Sequence, residues 1–374
     1  MGRGPRSVEN IVKSPNSLAA DLDHVLAHTE HLWSDLRGAR LFVTGGTGFF
    51  GCWLLETLLW ANDRLGLDAS AVVLTRNSAA FARKAPHLAG HAAITLHTGD
   101  VRTFGFPEGG FSHVVHAATD SGVPLVEQDR LQLFDTIVEG TRRTLEFAKR
   151  SGASRFLFTS SGAVYGRQPA ELTHVPEEYV GGPDCTDGSQ VYAEGKRAAE
   201  LLCALYADAV LQPTVARCFA FVGPYLPLDA HFAVGNFIRD ALQGGPIRIK
   251  GDGTPYRAYL YAADLAIWLW TILLKGQPMR AYNVGSEEAI TIEALAEMVA
   301  RAMGPELRVT LRERRGRAQR AERYVPSSDR ARRELHLKQS VTLAASLDRT
   351  ISWHCVRFGA SASTKRTGSR SSIR

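Results

Sequence analysis

Paired cysteines are missing from this sequence. The 374-residue chain has five, Cys52, Cys185, Cys203, Cys218 and Cys355, scattered and without a CxxC pair. That excludes a disulfide framework and a zinc site, and it is the cysteine usage of reduced thiols in a cytosolic protein. Long apolar runs are missing too. The most hydrophobic stretch, Leu265–Leu274, has ten residues and follows Asp264, too short to cross a bilayer. The opening MGRGPRSVENIVKS lacks an apolar segment, so no secretory signal is expected. Basic charge is in excess only locally. Of a net +6, residues 308–323 contribute +5 and residues 360–374 contribute +4, leaving −3 for the rest of the chain. The arginines of 308–323 either steer an acidic ligand or form a solvated face. Neither segment interleaves aromatics with its basic residues, so neither nucleic acid nor membrane is expected as a partner.

What is present is an ordinary globular composition, 45% hydrophobic and 22% charged, over a length suited to two or three domains. Apolar positions at helical spacing over residues 17–36 predict a helix ahead of the main domain. Short apolar runs then predict strands at Arg40–Thr44, Ala71–Thr75, Ile94–His97, His113–Ala117, Arg155–Thr159 and Thr214–Phe219. Helices are expected between them, at Phe49–Leu65, Leu125–Arg150 and Val191–Ala207. Alternating β-α-β units with continuous apolar strands imply an α/β fold, a doubly wound parallel sheet covered on both faces. The pattern becomes mixed after about residue 225. The expected division is an N-terminal helical extension (1–37), a dinucleotide-binding domain (38–225), a smaller mixed α/β substrate domain partly interleaved with it (226–358), and a disordered basic tail (359–374).

The segment LFVTGGTGFFG runs a strand into Gly45, Gly48 and Gly51 and straight on into a helix. Gly45 permits the tight turn, Gly48 lets the backbone approach a pyrophosphate, and Gly51 lets helix pack on strand. The amides of Thr47, Phe49 and Phe50 open the helix whose N-terminus favours phosphate. At the end of the second strand, Thr75 and Arg76 stand where NAD sites usually carry a carboxylate, which leans towards NADP without excluding NAD. Asp100, followed by Val101, is placed to bind the adenine amino group, while Ala117 and Ala118 leave room for the cofactor. His116 reads as a packed strand-end residue. No set of residues suggests a metal.

Chemistry is added by two later segments. FTSSGAVYG puts Ser161 at a strand end, and YAEGK puts Tyr192 and Lys196 at i and i+4 on one helix face, 31 residues beyond the serine. Hydride transfer at a carbinol carbon needs a partner for the hydroxyl proton. Tyr192 is the candidate, Lys196 and the positive nicotinamide are expected to favour its phenolate, and Ser161 is expected to hold the substrate oxygen.

TGGTGFFG, GDV, HAA, SSGAVYG, YAEGK, RCFAFVGP, GDGTPYRAYLYAADLA and YNVGS follow one another in a known order. Over roughly residues 39–355 the chain resembles an extended short-chain dehydrogenase/reductase of the nucleotide-sugar epimerase/dehydratase family. The resemblance implies a Rossmann-type fold, a cytosolic and often dimeric enzyme, a tightly bound NAD or NADP, and action at C4 of a nucleoside-diphosphate hexose. It implies Ser161, Tyr192 and Lys196 as the triad, Asn236 and Arg257 as holders of the nucleotide diphosphate, and a dimer face on the helix Leu125–Arg150 and the Tyr192 helix. Departures narrow the subclass. Gly162 and Ala163 replace the Asp-Glu pair of the 4,6-dehydratases, leaving Glu194 as a distant substitute. Ile137, Ala220 and Ala258 replace polar residues of the pattern. C4 epimerisation is therefore favoured. An NADPH-dependent 4-ketoreductase is the alternative, dehydration is less favoured, and a non-enzymatic redox sensor is remote because it has no need of the triad. Asp264 and the pair Trp268 and Trp270 read as structural, and Tyr165 reads equally as pocket lining or packing.

Overall fold

In the computed structural model, residues 16–119, 130–230, 232–304, 306–312 and 321–368 are described, with side chains to residue 357. The chain opens with α1 (Ala19–Thr29), which tightens into a 3₁₀ turn over Glu30–Leu36. The expected single helix of 17–36 is thus two pieces. The joint coincides with Thr29, whose buried hydroxyl bonds the Val25 carbonyl at 2.6 Å and accepts from the Trp33 indole at 2.9 Å. Such back-bonding competes with the regular ladder.

Next come β1 (Arg40–Thr44), α2 (Phe49–Leu65), β2 (Ser70–Thr75), α3 (Ser78–Lys84), α4 (Pro86–Ala89), β3 (Ile94–Thr98) and β4 (His113–His116). They are followed by α5 (Arg130–Arg150), β5 (Arg155–Ser161), α6 (Val191–Tyr206) and β6 (Gln212–Cys218). All six predicted strands are present within one or two residues of their expected bounds. The first five residues of the predicted Leu125–Arg150 helix lie outside the described residues. Strand β5 extends to Ser161, so the serine is its last residue.

The second part holds β7 (Ala220–Val222), α7 (Ala233–Leu242), β8 (Ile247–Ile249), β9 (Tyr256–Arg257), β10 (Tyr259–Tyr261), α8 (Ala262–Lys275), β11 (Ala281–Val284), β12 (Ile290–Thr291), α9 (Ile292–Met303), β13 (Val309–Leu311), β14 (Arg323–Tyr324), α10 (Asp329–Leu335) and α11 (Leu343–Gly368). The main sheet has the order β11-β6-β5-β4-β1-β2-β3, every pair parallel. Strands that continue as apolar runs are buried on both faces, as parallel sheets require. One face carries α1, α2 and α8, with Trp33 of the 3₁₀ turn and Trp270 of α8 packing their rings 5.3 Å apart. The other carries α5 and α6 over an aromatic cluster of Phe42, Phe104, Phe111 and Phe147. Strand β11 and helix α8 therefore belong to the first layer although they follow residue 225. A third core joins α7, α9, α11 and the short strands, with Phe49 packed against it from α2.

Asp264 has the structural role read from sequence: buried on α8, it accepts from the amides of Ser340 and Val341, both at 3.0 Å. Helix α11 runs to Gly368, so the segment expected as a disordered tail from residue 359 starts as a helical continuation. Once the first turns are anchored, each further residue adds one hydrogen bond to a ladder already nucleated. The residues that anchor it, Leu343, Leu347 and Ile351, all precede the tail. Deleting 359–374 is expected to leave the melting temperature within about 1 °C in a thermal melt, because no anchoring residue is lost. A drop of several degrees would show that the tail docks. Among the described residues, no helix is long and apolar enough to cross a membrane.

Candidate active site

The glycine turn joins β1 to α2 at the carboxyl edge of the sheet. Gly45 has φ +69°, and a Cβ there would collide with the Ala117 carbonyl, so the turn and the β4 end touch without side chains between them. A Cβ at Gly51 would strike the Gly46 backbone. At Gly48 it would meet only the Gly45 carbonyl, at 3.2 Å, so the space beside this residue is open to a ligand. Ala118 N donates to the Thr44 hydroxyl at 3.2 Å, which ties the ends of β1 and β4. This cradle fits a dinucleotide diphosphate, with Gly48, Phe49 and Phe50 opening α2 beneath it. Phe49 and Phe50 lie 5.7 Å apart, and Phe50 packs edge-on to Phe221 at 5.1 Å. One further residue reaches the turn. Lys84 Nζ on α3 donates to the Thr47 carbonyl at 2.7 Å, a contact that nothing in the local sequence pattern marks.

At the adenosine end, the buried Thr75 hydroxyl accepts from Asn77 N at 3.2 Å. Asp100 is held by Arg102 through Nε at 2.9 Å and Nη2 at 3.0 Å. That pair keeps its carboxyl below the usual range, and the charge of Arg76 acts in the same direction. Thr75, Arg76 and Asp100 are thus gathered at one end. Val101 is buried where a Cβ on Gly140 would clash with it, so it seats α5 against the loop.

The candidate reacting end lies at the tip of β5. Ser161 Oγ accepts from Ala163 N at 3.2 Å and stands 3.4 Å from the Tyr324 hydroxyl. Tyr192 and Lys196 lie on α6 beside it, and the Lys196 ammonium is 5.9 Å from the Tyr192 ring centre. Lys196 is fully buried, donates to the Thr159 carbonyl at 2.8 Å and lies over the Phe158 ring at 4.8 Å. Burial pushes the Tyr192 phenol up to about 12, opposed by the Ser161 hydroxyl. Burial also pushes the Lys196 amine down to about 8. Burial thus opposes the phenolate that Lys196 and the nicotinamide are expected to favour, and the Lys196 ammonium donates to a backbone carbonyl.

Tyr324 is the residue the sequence did not single out. It sits on the two-residue strand β14, which pairs Tyr324 with Arg257 of β9, and its ring packs on Phe219 at 4.7 Å. Burial raises its pKa strongly, and the negative charge that Tyr192 can carry adds to the rise. Gly162 has no room for an acid: a Cβ would lie 2.6 Å from the Phe219 ring and 2.8 Å from the Tyr324 hydroxyl. Arg257 pairs with Glu322 at 3.0 Å, its guanidinium 5.8 Å from the Tyr324 ring. Asn236 on α7 accepts from Arg239 at 3.1 Å. Neither contacts the triad directly. Arg257 approaches it through Tyr324, and the Asn236 side chain is engaged by Arg239 of its own helix.

Other candidates fall away. His116 is fully buried between the hydroxyls of Thr44 (2.7 Å) and Thr141 (3.0 Å), and burial pushes it down to about 3, so it is neutral packing. Tyr165 does both things read from sequence, donating to Asn283 at 2.7 Å in the packed interior and lining a cavity. Glu194 pairs with Arg197 at 3.7 Å and lines a cavity of about 860 Å³ that Tyr165, Glu200 and Arg217 also border. Among the described residues there is no group of three or more His, Cys, Asp or Glu able to hold a metal.

The model of the NAD dependent epimerase/dehydratase family matches residues 41–285. The chain belongs to this family. Its members' nucleotide-sugar chemistry and NAD(P) dependence agree with the glycine cradle and the Ser161–Tyr192–Lys196 group, and the protein is an NAD(P)-dependent enzyme of the extended short-chain dehydrogenase/reductase kind. A UDP-glucuronic acid decarboxylase 1 of Arabidopsis thaliana is 29% identical over 84% of this chain and 69% of its own length. The chain spans 60% of the length of several like-named relatives. A UDP-glucose 4-epimerase of Thermotoga maritima, solved with UDP-glucose, shares the fold at a TM-score of 0.72 with 20% identity, over 85% of this chain and 99% of that one. The RMD protein of Pseudomonas aeruginosa, solved with NADPH, gives a TM-score of 0.67 with 26% identity over 85% and 99%.

Proposed function

We propose that this family member acts at C4 of a nucleoside-diphosphate hexose, oxidising and re-reducing that carbon with C4 epimerisation as the net result. The observation that carries this reading is a hydroxyl pair at the reacting end with no acid side chain beside it. Ser161 and Tyr192 meet at the tip of β5, and Phe219 and Tyr324 fill the space an acid at position 162 would need. The Ser161 hydroxyl holds O4. Tyr192 takes the O4 proton as C4 is oxidised and returns it to O4 as the ketone is reduced. The dinucleotide in the glycine cradle supplies the hydride acceptor and donor. Arg257 offers the planar fork suited to the substrate diphosphate, and Asn236 lies on the same substrate-domain side.

A second reading, decarboxylation, is favoured by the relatives. A 4-keto hexuronate is a β-keto acid, which loses carbon dioxide without an acid–base pair at C5 and C6, so Gly162 and Ala163 are compatible with it. The lean of Thr75 and Arg76 towards a 2′-phosphate supports NADPH and, with it, a 4-ketoreductase.

One experiment separates these. The purified protein is incubated with NAD or NADP and UDP-glucose or UDP-glucuronate, and with NADPH and a 4-keto-6-deoxy sugar nucleotide, and the products are read by liquid chromatography and mass spectrometry. An isobaric product with no net dinucleotide consumption is expected. Loss of carbon dioxide from the uronate selects the second reading, and stoichiometric NADPH consumption selects the reductase. No water-loss product is expected from a hexose, because neither Gly162 nor Ala163 can offer a proton or a lone pair; a robust one would sink all three readings.

The outer face of α5 and α6 exposes Leu131, Leu201 and Leu205, and we take it as the face that joins two copies. Leu201→Glu with Leu205→Glu is expected to shift the sedimentation coefficient from dimer to monomer. An unchanged dimer would move the interface elsewhere.

A further inference from the structure

Behind the reacting end runs a chain of polar contacts that the proposed chemistry does not use. Register in the sheet sets Ser160 of β5 opposite Arg217 of β6. Ser160 Oγ donates to Glu200 Oε1 at 2.6 Å, and Arg217 grips the same carboxylate through Nε at 3.0 Å and Nη2 at 2.7 Å. Arg217 Nη1 also donates to the Tyr165 hydroxyl at 3.0 Å. Both partners of the pair are largely shielded, their side chains 15% and 18% exposed. Glu200 lies one helical turn beyond Lys196 on α6, and Ser160 directly precedes Ser161.

We propose that the Glu200–Arg217 ion pair is a positioning and charge-setting unit for Lys196, with Ser160 anchoring its carboxylate to the reacting strand. This rests on the reading of Lys196 as part of the catalytic group.

The groups that face Lys196 single out Glu200. On α6 these are Tyr192, Glu200 and Cys203; on β6, Cys218; on β5, the Thr159 carbonyl and the Phe158 ring; on β4, His116. Burial pushes Tyr192 and Cys218 up to about 12 and raises Cys203 as well, and it holds His116 neutral. Held in an ion pair by Arg217, Glu200 is the one carboxylate among these groups. It opposes the burial that pushes Lys196 down to about 8. Arg217 neutralises part of that carboxylate's field. Removing either member must then move Lys196 in opposite directions, a signature that a purely structural pair does not produce.

The test uses the full chain labelled with ε-¹³C lysine. Eight lysines are present, and the Lys196 resonance is the one lost in Lys196→Met or, in the intact chain, the one titrating lowest. Glu200→Gln is expected to lower its midpoint by about half a pH unit or more, and Arg217→Met to raise it by a similar amount. Arg217→Lys, which keeps the charge, is expected to leave it in place. Where Glu200→Gln does not fold, the contrast between Arg217→Met and Arg217→Lys decides alone. Midpoints that stay fixed, or move in the same direction, in variants with native thermal melts overturn the proposal. The titration needs no substrate. Opposite shifts in a protein that turns over no sugar nucleotide would leave this inference standing and remove the proposed function.

Discussion

Tyr192→Phe is expected to lower turnover by about 10²–10⁴-fold, the usual worth of a positioned acid–base group, while leaving dinucleotide affinity nearly unchanged. The substitution removes one oxygen from a ring that stays packed beside Phe158 and Val191 in the α5–α6 core. The phenol, pushed up to about 12 by burial, is the group that takes the C4 hydroxyl proton on oxidation and returns it on reduction, and phenylalanine can do neither. Steady-state kinetics on the active sugar nucleotide, together with a fluorescence titration of NAD(P)H, checks both halves. Near-native turnover would take Tyr192 out of the mechanism. Lost dinucleotide affinity with little change in turnover rate would make it a binding residue only.

Gly48→Val is expected to abolish measurable dinucleotide binding in a protein that still folds. Its neighbours would not allow such a separation. A side chain at Gly45 or Gly51 collides with backbone atoms of the turn, so those substitutions damage the fold itself. Gly48 differs in two respects. Its φ of −80° suits any residue, and an added Cβ meets only the Gly45 carbonyl, at 3.2 Å. The branched side chain then occupies the space over the α2 amides that a diphosphate requires. Calorimetric titration with NAD(P)H, run beside circular dichroism to confirm the fold, decides the case. Native affinity in a folded variant would remove the glycine turn as the cofactor cradle.

Legibility followed the distance in sequence over which each contact is made. The strands of the main sheet are short apolar runs bounded by polar turns, and burial on both faces leaves that pattern in the local sequence. The glycine turn was legible because the strand before it, the helix after it and the glycine spacing share eleven residues, LFVTGGTGFFG. Ser161, Tyr192 and Lys196 were legible for the same reason, each lying at a strand end or on one helix face. Tyr324 was not. It reaches Ser161 from a two-residue strand that exists only because β9 offers it a partner, and a strand that short has no periodicity to detect. Lys84 was equally hidden, since its contact with the Thr47 carbonyl depends on how α3 folds back over the turn.

The sequence by itself determined the layered α/β plan, the glycine turn between β1 and α2, the motif positions of Ser161, Tyr192 and Lys196 and the lack of an acid pair at 162 and 163, because each is a matter of residue type at short spacing. Only the tertiary structure decided the burial of the reacting groups. Tyr192 and Lys196 are both taken out of water by α6 packing on β5 and β6, which pushes the phenol up and the amine down, and no local pattern measures that desolvation. It likewise decided that Phe219 and Tyr324 close the space beside Gly162 and that Arg217 reaches across the sheet to Glu200. Those contacts join residues brought together by the crossing of distant strands, where burial and register rather than residue spacing select the partner.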